Sequence, residues 1–150
     1  MHQTTSEQSG DKSLAIVLLE LIDKGYIAVE SKRDTDMDIF VWVGHDENGM
    51  CKTETIQVKT MQGNSVHKIV DRGGEIVSKN GKVRNSIDYA ERGIHWLVGV
   101  DLERDTHWYH HDTYSKIPTK SFSVRKYPAD DFYNRTVPSN NAFRRVAWTT

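Results

Sequence analysis

The chain is poor in cysteine. Cys51 stands alone, so no internal disulfide and no all-cysteine metal site can form. It reads as an ordinary thiol in a hairpin, and a cytosolic setting, cytoplasmic by default, is the expectation. Apolar runs are short. No window approaches the roughly 18 consecutive apolar residues of a membrane-crossing helix. Met1 to Gly10 is polar and lacks the apolar core of a secretory leader. Internal repeats and low-complexity blocks are missing as well. Nor is there a strong charge of one sign: the formal net charge is −1, which does not announce a nucleic-acid binder.

What is present fits one globular domain. The 150 residues are 37% hydrophobic and 27% charged, enough for a single core. Charge is unevenly spread. From residue 120 onward, Lys120, Arg125, Lys126, Arg135, Arg144 and Arg145 face only Asp130 and Asp131, a balance of +4. The preceding residues carry −5. Acidic groups gathered at a metal with a basic surface elsewhere would give this pattern, and so would a plain solvated surface.

Periodicity predicts a helix from Asp11 to Lys24, with Leu14, Val17, Leu18, Leu21 and Ile22 at helical spacing. Gly25 ends it, and Tyr26 to Val29 enters a short strand. A strand from Asp38 to Val43, a turn over Gly44–Gly49 and a return strand from Thr53 to Thr60 predict an antiparallel hairpin. Val66–Val70 reads as a strand or one helical turn. Glu75–Ser78 and Lys82–Arg84 flank Asn80-Gly81 as a second hairpin. Ser86–Arg92 reads as a short helix stopped by Gly93. Ile94–Val100 is a buried strand with His107–His110 as partner, and Ser121–Lys126 a last strand. A short helix or arm is expected around Ala142–Trp148. The domain reading is a disordered lead over 1–10, a core over 11–126 and a basic extension over 127–150.

The candidate chemistry lies in Ile56-Gln57-Val58-Lys59-Thr60. Alternation puts Gln57 and Lys59 on one face, Ile56 and Val58 on the other. The hairpin brings Asp38 towards them. Alone, each reads as an ordinary surface residue; an acidic residue heading one strand with Gln-x-Lys in the next is rarer. A hard cation such as Mg²⁺ takes oxygen ligands. Asp38 offers a carboxylate, Gln57 an amide oxygen and Val58 its carbonyl. Lys59 would hold or activate a water and offset charge on a phosphorane-like transition state. Asp36 is a rival for Asp38. Thr60 reads as a local or near-phosphate hydrogen-bonding residue. His67, His95, His107, His110 and His111 have no spacing of a closed zinc site, and His110-His111 reads as surface.

The order of a helix, Lys24-Gly25-Tyr26, an Asp-headed apolar strand and Ile-Gln-Val-Lys-Thr resembles the PD-(D/E)xK nuclease superfamily. It is most similar to the branch in which Gln replaces the second acidic residue, a branch that includes a small intron-encoded homing endonuclease of cyanobacteria. The Ile94–Val100 strand, its His-Trp-Tyr partner and the Ile117-Pro118 exit share in the likeness, which covers roughly residues 10–118. The resemblance implies an α/β fold: a restriction-endonuclease-like core with a mixed, largely antiparallel central sheet flanked by helices. It implies Mg²⁺-dependent, sequence-specific hydrolysis of double-stranded DNA, as a homing endonuclease or, next, a type II restriction enzyme or a junction resolvase. It also implies an acidic residue on the first helix near the metal. The usual position holds Leu14 here, leaving Glu20, flanked by Leu19 and Leu21, ahead of Asp11.

A nuclease needs a phosphate-binding surface. Lys79, Lys82 and Arg84 flank the Asn80-Gly81 turn, with Asn85 and Ser86 beside them. Arg125, Lys126, Arg135, Arg144 and Arg145 would extend the footprint. A homodimer or homotetramer would let one site per chain cut both strands, with Phe143, Val146 and Trp148 contributing to the contact. Trp42 and Trp96 read as core. The rival readings are a non-catalytic DNA-binding module on the same fold and a sensor or structural protein without a nucleic-acid partner.

Overall fold

A computed structural model describes residues 6–31, 37–70, 76–77, 83–84, 87–103 and 105–138. The predicted helix is α1, Ser6–Asp23. Its buried stripe is Ser13, Val17 and Leu21, one residue per turn. The helix starts ahead of Asp11, so Ser6–Gly10, expected as disordered lead, are helical. Gly25, at φ 88°, closes it. The Tyr26 N–H donates to the Leu21 carbonyl and the Gly25 N–H to that of Ile22, both 3.0 Å. This pairing satisfies the last helical acceptors.

Strand β1 (Ala28–Glu30) leads to β2 (Ile39–His45) and β3 (Cys51–Thr60). The β2–β3 hairpin forms as expected, with Ile39 opposite Ile56. The Asp46 carboxylate holds its turn by accepting the N–H groups of Asn48 (2.9 Å) and Met50 (3.0 Å). Short strands follow: β4 (Ser65–His67), β5 (Ile69–Val70), β6 (Ile76–Val77), β7 (Val83–Arg84) and β8 (Ile87–Asp88). β6 pairs with β7 as the second expected hairpin, and β5 pairs with β8. The segment expected as a helix over Ser86–Arg92 contains β8 and a 3₁₀ turn, Tyr89–Arg92, capped by Asp88 and closed by Gly93.

Strands β9 (Trp96–Val100) and β10 (Thr106–His110) form the expected pair. Helix α2 (His111–Tyr114), strand β11 (Ser121–Ser123) and helix α3 (Phe132–Arg135) complete the described elements. β11 stops before the expected Lys126, because the Ser123 carbonyl accepts the N–H groups of Lys126 and Tyr127 in a turn. The stretch around Ala142–Trp148 lies outside the described residues.

The main sheet runs β1-β2-β3-β9-β10. It is antiparallel except for the parallel β3–β9 pair at its centre. Central β9 is buried at every position, as a strand covered on both faces must be. One face carries Ile39, Val41, Ile56, Trp96, Val98 and Val100 under α1. Phe132 of α3 stacks on Trp108 at 4.3 Å, so the first part of the expected extension belongs to this core. The other face carries Leu97 and Tyr109 beneath Val66, Tyr89, Tyr114, Ile117 and Phe122. Gly99 lies on this second face, opposite Lys59. A side chain there would collide with Val66, so the glycine lets β4 settle against the sheet beside Lys59. No described helix is long and apolar enough to cross a membrane.

Candidate metal centre and adjoining cleft

Asp38 precedes β2 and extends its ladder. Its N–H donates to the Ile56 carbonyl, and its carbonyl accepts the Ser31 N–H, both at 2.9 Å. Its carboxylate Oδ2 accepts the Val58 N–H at 2.8 Å. A β3 donor beyond the start of β2 is thereby satisfied by a side chain instead of a strand. The N–H and C=O of a strand residue point to the same side, so the Val58 carbonyl shares the edge that Asp38 occupies.

Gln57 and Lys59 lie on the face opposite α1, in register with Leu97 and Gly99. Gln57 is 8% exposed. Its Oε1 has no hydrogen-bond partner among the described residues. Such a buried acceptor normally costs about 1–3 kcal/mol. The Lys59 ammonium lies 5.0 Å from the centre of the Tyr89 ring, a cation–π distance. The structure therefore brings together Asp38, Gln57, Val58 and Lys59. Carboxylate, orphaned amide oxygen and main-chain carbonyl are donor types that a hard divalent cation takes. Beside Lys59 opens a cleft of about 410 Å³ lined by Lys59, Thr60, Gln62, Ser65, His67 and Ser121.

Glu20 is not brought to this group. α1 packs on the other face of the sheet, and its Ser13 hydroxyl meets that of Thr60 at 2.8 Å. Glu20 follows about 10 Å further along the helix. Its carboxylate accepts the Thr106 hydroxyl at 2.9 and 3.0 Å, and the Trp108 indole N–H donates to that hydroxyl at 3.2 Å. Burial and then the Glu20 charge raise the Tyr133 phenol well above its ordinary range. The partial burial inferred from Leu19 and Leu21 is correct, but its partner is a threonine. Asp11 is exposed on α1, and Asp36 lies outside the described residues.

A second polar cluster was not anticipated. His110, His111 and Asp112 place ligand atoms within 4.8 Å of one another, compatible with a divalent metal. Its sequence signal was the His-His-Asp run itself. Burial, then His111 and Arg135, lower the His110 pKa and favour the neutral ring that metals require. β10 stands three strands from β2, so the cluster is roughly 14 Å from the Asp38 edge at normal strand spacing. His95 accepts the Thr55 N–H through Nδ1 at 3.0 Å, and Glu54, buried, accepts the Trp96 indole N–H at 3.1 Å. Trp96 is core as expected, while Trp42 is only half-buried.

Arg125 and Lys126 are exposed in the turn after β11, and Arg135 is exposed at the end of α3. Arg84 belongs to β7. Lys79, Lys82, Asn85, Ser86, Arg144 and Arg145 lie outside the described residues, as do Phe143, Val146 and Trp148.

Comparison with protein-family models and with curated proteins finds no match. Among solved structures the chain is similar to a bacterial homing endonuclease, I-Ssp6803I. The TM-score is 0.53 at 12% identity, over 96% of this chain and 97% of that one. A likeness of this kind shows the fold alone: a restriction-endonuclease-like core with a mixed, largely antiparallel central sheet flanked by helices.

Proposed function

We propose that the protein is a Mg²⁺-dependent endonuclease that hydrolyses phosphodiester bonds of double-stranded DNA. The observation that supports this reading is the orphaned Gln57 amide oxygen, on the strand whose Val58 N–H the Asp38 carboxylate accepts. Asp38, Gln57 and the Val58 carbonyl would hold the cation. A divalent metal bound there would supply Lewis-acid polarisation of the phosphodiester and would lower the pKa of a water. Asp38 is oriented by the Val58 N–H, so its carboxylate is fixed before any ligand arrives. Lys59, braced on Tyr89, donates to the attacking water or to a phosphoryl oxygen as negative charge develops. The shared fold supports homing endonuclease as the first subclass, with type II restriction enzyme next. Assembly as a homodimer or homotetramer would place a second site on the opposite DNA strand.

A non-catalytic DNA-binding module is the second reading. Among the described residues, Asp38 belongs to no group of three His, Cys, Asp or Glu ligands, which favours it. The separating experiment is cleavage of a complex DNA pool in Mg²⁺ or EDTA by wild type and Lys59→Ala, with the ends sequenced. Discrete ends that need both Mg²⁺ and Lys59 are expected. DNA bound but uncut by both proteins, in a pool containing the cognate site, would establish the module instead.

A further inference from the structure

The cleft beside Lys59 is larger than a cation site requires, and its lining is chemically one-sided. Lys59 brings an ammonium, His67 an imidazole, Gln62 an amide, and Thr60, Ser65 and Ser121 are hydroxyl residues. Among the described residues, no carboxylate lines the cleft. The set suits an anion carrying several acceptor oxygens. His67 is placed there by the second sheet. Ser121 of β11 stands directly opposite His67 of β4, and the Ser121 hydroxyl meets His67 Nδ1 at 2.9 Å. The turn after β11 exposes Arg125 and Lys126.

We propose that this cleft binds a backbone phosphate of the nucleic-acid strand next to the phosphodiester at Asp38, a reading that rests on the nuclease assignment. His67 is the contacting side chain, and Ser121 is a positioning residue that fixes the imidazole. Neither residue is a metal ligand, and neither takes part in bond breaking. Lys59 lines the cleft and also stands beside Gln57, so an occupant here shares a wall with the metal centre. Such a contact adds affinity and register rather than chemistry.

The test is an NMR titration of the full chain with a mixed-sequence DNA duplex at low salt in EDTA, following the imidazole signals. It is paired with fluorescence anisotropy on His67→Ala, His67→Gln and Ser121→Ala. The expected result is a shift of the His67 ring signals, with His45, exposed at the end of β2, unmoved. His67→Ala should weaken binding about tenfold, as for one lost hydrogen bond to a charged partner. His67→Gln should recover part of the loss, and unchanged thermal melts would show that the variants fold. Inorganic phosphate alone should move the same signals only at far higher concentration. Should phosphate saturate the cleft as tightly as DNA does, the cleft is a free-anion site and the proposal falls. DNA that shifts Lys59 and its neighbours but leaves His67 still, with all variants binding as wild type, overturns the subsite and leaves the nuclease reading standing. No DNA binding at low salt overturns both.

Discussion

Gln57→Met should make the metal-free protein more stable and its stability less sensitive to divalent cations. In the wild type a buried amide oxygen has given up water without gaining a partner among the described residues. That costs about 1–3 kcal/mol. Methionine is unbranched and of similar size, so the swap adds little strain. Imperfect packing of the thioether in a site shaped for an amide takes back part of the gain. The net expectation is about 1 kcal/mol, or about 2–4 °C in Tm for a domain of this size. Mg²⁺ at a hundredfold excess over its Kd would stabilise a binding-competent protein by about 2.7 kcal/mol. The assay is calorimetric melting of both proteins in EDTA and across a Mg²⁺ series. Wild type should start lower in EDTA and climb with Mg²⁺, whereas Gln57→Met should start higher and climb less. A variant less stable than wild type in EDTA, and equally responsive to Mg²⁺, would refute the reasoning, because Gln57 would then be a structural hydrogen-bonding residue.

Other consequences are as specific. Glu20→Gln should leave DNA cleavage within about threefold, whereas Asp38→Asn should lower kcat by about 10²–10³; equal losses would return Glu20 to the reaction. Lys68 is buried against Asp88 at 2.8 Å and donates to the Tyr114 carbonyl at 3.0 Å and to that of Ile117. Lys68→Ala should therefore lower the unfolding free energy measured in urea by about 3–5 kcal/mol, the cost of breaking a buried pair from one side. Burial lowers the pKa of His95, whose Nδ1 accepts the Thr55 N–H. The unfolded chain then binds the proton more tightly, so stability is full above the ordinary histidine pKa and falls as pH drops from there through the folded value. A urea midpoint series should show this decline, and His95→Gln should flatten it.

Local pattern revealed much of this fold. The β2–β3 hairpin follows from two apolar alternations around Asp46, Asn48 and Gly49, and Gly25 and Gly93 stop their helical segments at positive φ. The union of Asp38 with β3 followed from that hairpin, because antiparallel register carries the head of one strand to the tail of the next. What escaped depends on partners far away in sequence. Nothing near Glu20 indicates that Thr106 will receive it, and nothing near Lys68 announces burial, since Asp88, Tyr114 and Ile117 come to it only through packing. The pairing of β4 with β11, which places His67 and Ser121 at one cleft, spans more than fifty residues. Helices α2 and α3 are single turns, too short for periodicity to reveal.

The location of the metal distinguishes this account from its nearest competitor, the His110–Asp112 cluster. Substoichiometric Mn²⁺, a paramagnetic stand-in for Mg²⁺, should be added to the isotopically labelled protein while backbone amide signals are recorded. The account predicts selective broadening at Asp38, Gln57, Val58 and Lys59, lost in Asp38→Asn and retained in His111→Ala. Broadening confined to His110, His111 and Asp112, with the Asp38 edge sharp, would contradict it.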